Sequence, residues 1–286
     1  MSFRERLIQI HACRGVTWVL LKKFLDFDPT LKRVITLRKD ELERYFSMKP
    51  KQLLTFIDDL KNNENIVEHY RNNDIHVVTI FDSDYPNLLK EIYDPPWVLY
   101  CKGDVSLLSN KRKLSVIGTR DPSRNGLLSL EKIVLPLIHD NWVIVSGLAV
   151  GIDGRAHTLS IMNNGKTIAV LGSGFNHIYP HCHRNLASDI ASKQLLISEF
   201  SPNTPPTKWN FPLRNRIISG LSRGTLVVEA RKKSGSLITA DLALQQGREV
   251  FAVPGSILDD RSEGTHWLIQ QGAMLTKCSD DVLNEL

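Results

Sequence analysis

The sequence of 286 residues lacks the features of a secreted, membrane-spanning or metal-binding chain. No N-terminal segment has the layout of a signal peptide, and no apolar run approaches the ~18 residues of a membrane helix. The four cysteines are widely separated and form no C-x-x-C pair, so neither a zinc ribbon nor a disulfide framework is indicated. We therefore predict a chain with free thiols and without a metal, a cofactor or a membrane span, in the reducing cytoplasm.

The usual nucleotide-binding fingerprints are missing as well. Gly165-Lys166-Thr167 looks like the end of a P-loop, but Ser160 stands where that motif needs its first glycine. The tripeptide also precedes a predicted strand, whereas a P-loop follows one. No G-x-G-x-x-G sequence opens the first predicted strand–helix crossover. The sequence therefore argues against the common motifs of ATP and dinucleotide binding.

Three small clusters could carry chemistry, and each has a structural alternative. His181-Cys182-His183 are adjacent residues, which cannot easily share one tetrahedral metal ion. Asp153 and His157 stand four residues apart at a predicted helix start, as an acid–base pair could, or Asp153 caps its turn and His157 packs in the core. Glu229 ends a predicted strand and could be the carboxylate of a nucleotide hydrolase. The sequence leaves these alternatives open.

Size and charge set broad limits on the fold and the partner. With 42% hydrophobic residues, the chain can bury the core of one large α/β domain plus a small satellite. The 36 Lys and Arg exceed the 31 Asp and Glu, for a formal net charge of +5. A modest positive balance suits a polyanionic partner, but alone it is weak support for one.

The hydrophobic pattern changes once along the chain. Residues 1–72 show apolar residues at helical spacing, punctuated by Gly and Pro, which predicts four or five short helices. Beyond them, short apolar segments alternate with helical stretches, which predicts a doubly wound, mostly parallel Rossmann-like sheet with right-handed crossovers. The predicted strands are residues 75–80, 97–100, 113–117, 142–145, 167–171, 195–198, 225–228 and 249–252.

Five loops follow strands of this predicted sheet at their carboxyl ends, where such sheets bind ligands. They are rich in glycine, small hydroxyl residues and cations, so backbone amides and helix N-termini can approach an anion. We expect them to converge on one face. The loops are residues 118–123, 146–153, 172–174, 208–216 and 231–236.

The last two of these loops carry cations, and in residues 208–216 the cations alternate with aromatic residues. Lysine and arginine make charge-assisted bonds to phosphate, and Trp209 and Phe211 could offer faces for base stacking. Each has an alternative: Arg214 and Arg216 could pair with carboxylates inside the fold, the two aromatic residues could plug their loop into the core, and residues 231–233 could be a solvated turn. The convergence of the loops favours a platform for single-stranded nucleic acid.

Six motifs stand in a fixed order along the sequence. They are Val116–Arg120, Val145–His157, Leu171–Gly174 with Tyr179-Pro180, Phe211–Ser222, Lys233–Ala240 and Gly247–Gly255. Together they resemble the DNA-processing protein A family (DprA, also called Smf), over about residues 75–275.

The resemblance implies a function without covalent chemistry: the chain binds single-stranded DNA without marked sequence preference, loads the RecA recombinase onto it and protects incoming DNA during natural transformation. It implies an extended Rossmann-like domain, residues 73–286, preceded by a small SAM-like helical domain, residues 1–72. The predicted DNA-binding residues stand at positions of the family's DNA contacts, in its phosphate loops or in the loop of residues 208–216. They are Arg120, Ser146, Gly147, Gly174, Lys208, Phe211 and Arg214.

Two departures from the family pattern are visible. Some members carry a C-terminal winged-helix domain, whereas this sequence ends at Leu286, so we expect that domain to be absent. Many members have an asparagine at Thr265-His266, which leaves the role of His266 open.

A dimer is predicted near the C-terminus. The segment Gly264–Gly272 predicts a short helix whose consecutive apolar residues, Trp267 to Ile269, point around more than half of its circumference. One face of the sheet cannot bury all of this apolar surface. The remainder of the surface would either be covered by another segment of the chain or mark an interface. Family members form two-fold dimers through this region, so we predict a homodimer with His266, Ile269 and Gln270 at its interface.

Two rival function classes remain at this stage. One is a Rossmann-like nucleotide hydrolase or phosphoribohydrolase, although the Pro-Gly-Gly-x-Gly-Thr-x-x-Glu motif of that group is missing. The other is a passive nucleotide sensor, which predicts tight binding of a free mononucleotide.

Overall fold

The computed structural model describes all 286 residues, Met1–Leu286. Its first part is helical, and local sequence explains where the helices begin: Ser2 and Glu5 form a capping box before the first helix, and Thr17 caps the second. The number of helices confirms the prediction. They are α1 (Phe3–His11), α2 (Trp18–Phe27), α3 (Lys39–Phe46), α4 (Pro50–Asn62) and α5 (Ile66–Asn72).

The helical region has an aromatic core that continues into the rest of the molecule. The ring of Phe24 lies 4.6 Å from that of Phe46 and 5.5 Å from that of Phe56, measured between centroids. The same buried cluster includes Tyr100, which belongs to the sheet. The Tyr100 hydroxyl also lies 3.0 Å from Nδ1 of His11. The helices therefore pack directly against the sheet.

The rest of the chain forms one nine-stranded sheet in the order β1-β2-β6-β5-β4-β3-β7-β8-β9. All pairs from β6 to β9 are parallel, whereas β2 runs antiparallel to both β1 and β6. The mostly parallel sheet is thus confirmed, and only the short β9 was not predicted. The strands are β1 (His76–Thr79), β2 (Val98–Gly103), β3 (Lys113–Ile117), β4 (Val143–Ser146), β5 (Lys166–Leu171), β6 (Leu195–Ser198), β7 (Gly224–Val227), β8 (Glu249–Ala252) and β9 (Met274–Leu275).

Helices cover both faces of the sheet, as a doubly wound fold requires. Ile217 and Ala240 pack on one face, and Ile133 and Ala156 on the other. No helix combines the length and the apolar character needed to cross a membrane. The helices of this part are α6 (Asn87–Lys90), α7 (Arg124–His139), α8 (Ile152–Met162), α9 (Arg184–Lys193), α10 (Asn210–Leu221), α11 (Gly235–Gln245), α12 (Glu263–Gln270) and α13 (Ser279–Leu283).

The strand order reverses at β3, and this reversal positions the site. The chain winds from β3 through β4 and β5 to β6, then returns to place β7 on the other side of β3. Loops that leave neighbouring strands at such a switch point diverge and open a crevice. Its two sides meet where the Ser236 hydroxyl donates to the carbonyl oxygen of Gly118 at 2.9 Å.

Candidate functional site

A cleft of about 750 Å³ opens at this switch point, and we call it the basic cleft. Segments that follow β3, β4, β5, β6 and β7 all contribute to its lining. The segment after β5 contributes through Tyr179 and not through its glycines, Gly172 and Gly174. The predicted convergence on one face is therefore confirmed for four of the five loops, whereas residues 172–174 do not line the cleft. Lining residues from the five segments include Arg120, Asp153, Tyr179, Lys208, Phe211, Lys233 and Ser236.

The loop after β3 reaches the cleft because a glycine lets α8 approach it. Gly151 precedes α8 with a φ of 84°, and a Cβ atom there would lie 2.3 Å from the carbonyl oxygen of Thr119. Only glycine fits this left-handed position and this contact. The amide of Ile152 then donates to the same carbonyl oxygen at 3.2 Å, which fixes the loop that carries Arg120.

Three cations of the cleft have no carboxylate partner. Arg120, Lys208 and Lys233 are exposed and take part in no ion pair, whereas Arg231 pairs with Asp260. The ammonium of Lys208 lies 4.9 Å from the ring centroid of Trp209. Unpaired cations held around a concave surface create a positive potential that attracts phosphate.

Phe211 provides an aromatic face in the same cleft. Its ring is partly exposed and lies 5.5 Å from the ring of Tyr179 between centroids. A Cβ atom at position 172 would lie 2.8 Å from Cδ1 of Phe211, so Gly172 makes room for the ring. Trp209 is 71% exposed, so the alternative that it plugs the loop into the core is wrong. Sequence reasoning quoted Tyr179 only as part of a motif and missed its place beside Phe211.

Arg214 forms the floor beneath these side chains. It is buried, and its Nη1 donates to the carbonyl oxygens of Gly147 and Val170. Burial lowers the pKa of Arg214 to about 10, although nearby Asp153 opposes the shift. Burial likewise raises the pKa of Asp153, and the Arg214 guanidinium opposes that rise. The two buried groups influence each other's pKa without a direct ion pair, and the bonds of Arg214 to the two carbonyl oxygens support the cleft from below.

Ser146, Gly147 and Gly174 do not line the basic cleft, and their donors are engaged inside the protein. The Ser146 hydroxyl donates to the carbonyl oxygen of Val116 at 2.6 Å, and the Gly147 amide donates to Asp153 at 3.1 Å. The Gly174 amide donates to a carbonyl oxygen at 2.8 Å. A contact between these donors and a phosphate would have to replace a bond within the protein. Their role in DNA binding stays a prediction.

The candidate catalytic groups have structural partners. Glu229 accepts hydrogen bonds from the amide and the hydroxyl of Ser123, the N-cap residue of α7. His157 is fully buried with Nδ1 2.6 Å from the hydroxyl of Thr167, and burial lowers the pKa of His157 to about 3. Asp153 accepts a hydrogen bond from the Gly147 amide, and none joins it to His157. Capping and packing account for these residues.

Arg216 points away from the basic cleft although it is only two residues beyond Arg214. It is buried and forms ion pairs with Glu199 at 2.6 Å and with Asp94 at 3.1 Å. The structural alternative raised from the sequence is confirmed for this residue.

The predicted dimer residues lie on α12, at the edge of the sheet. Nε2 of His266 lies 3.0 Å from the carbonyl oxygen of Gly255, Ile269 is partly buried against the core, and Gln270 is exposed. The exposed apolar surface here comes from other residues. Trp267, Met274 and Leu275 are 44%, 38% and 40% exposed, and the last two form the edge strand β9.

Comparison with known proteins identifies the family. A sequence model described as DNA recombination-mediator protein A matches residues 76–286. The chain belongs to this family. The DNA processing protein DprA of Bacillus subtilis (strain 168) is 46% identical over 248 residues, which are 87% of this chain and 79% of that protein. The resemblance inferred from the motifs is thus confirmed.

Two solved structures of the DprA family share the fold. The X-ray structure of DNA processing protein A from Streptococcus pneumoniae has a TM-score of 0.85 and 38% identity, covering 100% of this chain and 99% of that chain. A structure of DNA processing protein A from Helicobacter pylori, described for its single-stranded DNA binding mode, has a TM-score of 0.67 and 29% identity, covering 74% and 94%. The helical region and the sheet thus match a solved DprA structure as one unit.

Proposed function

We propose that this DprA-family chain binds single-stranded DNA without sequence preference in the basic cleft. The proposal rests on three unpaired cations, Arg120, Lys208 and Lys233, which line the same cleft as the partly exposed side chain of Phe211. Cations along a groove follow the phosphates, and an aromatic face can stack on any base. The Helicobacter pylori relative, described for its single-stranded DNA binding mode, supports the proposal.

We further propose that the protein loads the RecA recombinase onto the bound strand, and that it protects incoming DNA during natural transformation. The family's description as a recombination mediator supports the first part, because a mediator prepares the strand on which a recombinase acts. We place the protein in the cytoplasm, where its four free cysteines stay reduced.

We propose that the protein performs no covalent chemistry on the strand. The carboxylates near the cleft are engaged, Glu229 by Ser123 and Asp153 by Gly147, which leaves neither poised as a free general base. The strand is therefore bound and released unchanged.

One set of titrations separates this function from the two rivals. Fluorescence anisotropy should show tight binding of labelled oligo-dT, weaker binding of duplex DNA and no binding of free mononucleotides, because only flexible single strands expose both phosphates and base faces. ATP, nucleoside monophosphates and DNA should remain intact during incubation. Turnover that disappears in Glu229→Gln would establish the hydrolase instead, and saturable binding of a mononucleotide alone would establish the sensor.

Phe211→Ala should weaken binding of oligo-dT by about 5- to 150-fold, because stacking on one aromatic ring is worth ~1–3 kcal/mol per base. Tyr93→Ala is the matched control, since Tyr93 is 95% exposed and does not line the basic cleft. Anisotropy measures both variants, and circular dichroism checks their folding. Unchanged affinity in a folded Phe211→Ala protein would assign the ring a packing role only.

We also propose that the protein is a homodimer through α12 and β9, with His266, Ile269 and Gln270 at the interface. An unpaired edge strand beside exposed apolar side chains is a surface that a second copy can cover in a two-fold contact. Leu275→Glu should then yield a folded monomer, because it places a charge on the 40% exposed Leu275 of β9. Light scattering at micromolar concentration measures the mass. A monomeric wild-type protein would overturn the proposal.

A further inference from the structure

A second and larger cavity lies between the helical region and the sheet. We call it the interdomain cavity; its volume is about 1350 Å³. One wall comes from the helices and the other from the sheet and its loops, so neither part forms it alone. Its lining includes Arg14, Trp18 and Val19 on the helical side, and Trp97, Lys102 and Phe175 on the other.

The interdomain cavity and the basic cleft share a wall. Residues 201–205 and Leu213 line the interdomain cavity, whereas residues 206–208 and Phe211 line the basic cleft. The dividing wall is therefore the loop before α10 together with the first turn of that helix. Trp209 stands on this wall and is 71% exposed. A DNA strand that leaves the basic cleft toward the interdomain cavity meets the indole ring of Trp209 first.

The interdomain cavity is lined by aromatic rings. Trp18 and Trp97 stack with their ring centroids 5.5 Å apart. The indole N–H of Trp18 donates to the carbonyl oxygen of Pro95 at 2.7 Å, and that of Trp97 donates to the carbonyl oxygen of Trp18 at 3.2 Å. These bonds fix both rings in place. The two rings cover the faces that they turn toward each other, so a base can pack only against their outer faces, and fixed rings lose little conformational freedom when it does.

The charges of the interdomain cavity balance, unlike those of the basic cleft. Its carboxylates are paired, one with Arg14 and two with Arg216, and Lys102 has no ionic partner. Such a surface holds planar, largely neutral groups better than a run of phosphates. The acidic and basic side chains of the lining are Arg14, Asp59, Asp94, Lys102, Glu199 and Arg216.

We infer that a single DNA strand passes from the basic cleft over Trp209 into the interdomain cavity, where its bases pack against the tryptophans of both walls. This inference rests on the proposed function and deepens it. Phosphate contacts hold the strand in the first cavity, and base stacking holds it in the second. The helical region thereby becomes part of the binding site, and long strands bind more tightly than strands that fill the basic cleft alone.

Intrinsic fluorescence offers a direct test, because three of the five tryptophans, Trp18, Trp97 and Trp209, line the inferred path. Oligo-dT of about 4 to 16 nucleotides covers the range of site sizes known for single-strand binding modules. We expect quenching to rise with length, and the extra quenching by long oligomers to disappear when Trp18 and Trp97 are both changed to Phe. Trp267→Phe is the control and should retain it.

A charge placed on the helical wall gives an independent test. Val19 is 57% exposed in the first turn of α2, where an acidic residue suits the helix dipole, so Val19→Glu should fold. The new carboxylate repels the DNA backbone. We expect Val19→Glu to weaken binding of the longest oligomer by about 5-fold or more, as for loss of one stacked base, and to leave the shortest unchanged. Val19→Gln is the neutral control.

The outcomes distinguish a failure of this inference from a failure of the proposed function on which it rests. Normal binding of short oligomers, without any gain in affinity or quenching for long ones, overturns the inference and leaves the proposed function intact. Equal effects of Val19→Glu on short and long oligomers also overturn it. Absence of oligo-dT binding at every length overturns both.

Discussion

Reversing the charges of Arg120 and Lys208 together should weaken binding of oligo-dT by more than about 100-fold, because each charge-assisted bond to phosphate is worth roughly 1.5–3 kcal/mol. Both side chains are exposed in the basic cleft and neither has an ionic partner. The salt dependence should fall as well, by about 0.7 in the logarithmic slope for each lost phosphate contact on a single strand. Anisotropy titrations of the Arg120→Glu, Lys208→Glu double variant at several salt concentrations measure both quantities.

A matched charge reversal distinguishes local contacts from a change in net charge. Lys166 is exposed and begins β5, so it lies at the opposite end of the strands from the cleft. Lys166→Glu should leave the affinity and the salt slope near those of the wild type, apart from the small long-range effect that salt screens. If Lys166→Glu and Lys208→Glu weaken binding equally, the basic cleft is not where the phosphates lie.

Removing the buried guanidinium should have the largest effect on stability. Arg214→Ala leaves the buried Asp153 carboxylate without its cationic neighbour and the Gly147 and Val170 carbonyl oxygens without their donor. Leaving a buried polar group without its partner costs about 1–3 kcal/mol for each group, so the urea midpoint should fall markedly. A loss of stability below about 0.5 kcal/mol would show that Arg214 does not support the floor.

The pH dependence of that variant tests the cause. Burial raises the pKa of Asp153 above its ordinary 3.8, and loss of Arg214 removes the charge that opposes the rise. A folded state that holds a proton more tightly than the unfolded state loses stability as pH rises through these values. The deficit of Arg214→Ala should therefore shrink as the pH is lowered toward 4. The Arg214→Ala, Asp153→Asn double variant should be more stable at neutral pH than Arg214→Ala alone.

Most of the fold could be predicted because its buried strands carry a strong local pattern. All eight predicted strands are present, since strands buried on both faces are nearly continuous apolar runs. β9 could not be predicted: it is two residues long and both are exposed, so it has neither length nor periodicity. Its pairing depends on the exposed edge of β8, which only the assembled sheet defines.

The sequence predicts which loops form the site, but not which of their hydrogen-bond donors bind partners within the protein. Topology places the ends of parallel strands together, which explains why Arg120, Lys208 and Phe211 meet in one cleft. Arg214 and Arg216 share one helix, yet one lies under the cleft and the other binds Asp94 and Glu199. The sequence could not separate them, because their partners come from distant segments. The same is true of the buried amide of Gly174.

Photocrosslinking tests most directly whether a single strand lies in the basic cleft. An oligo-dT carrying 5-iodouracil reacts on irradiation with aromatic side chains in contact with the substituted base, and mass spectrometry then identifies the modified peptide. We expect crosslinks in the tryptic peptide of residues 209–214, which contains both Trp209 and Phe211 and follows Lys208. Crosslinks confined to peptides that line neither the basic cleft nor the interdomain cavity would contradict it.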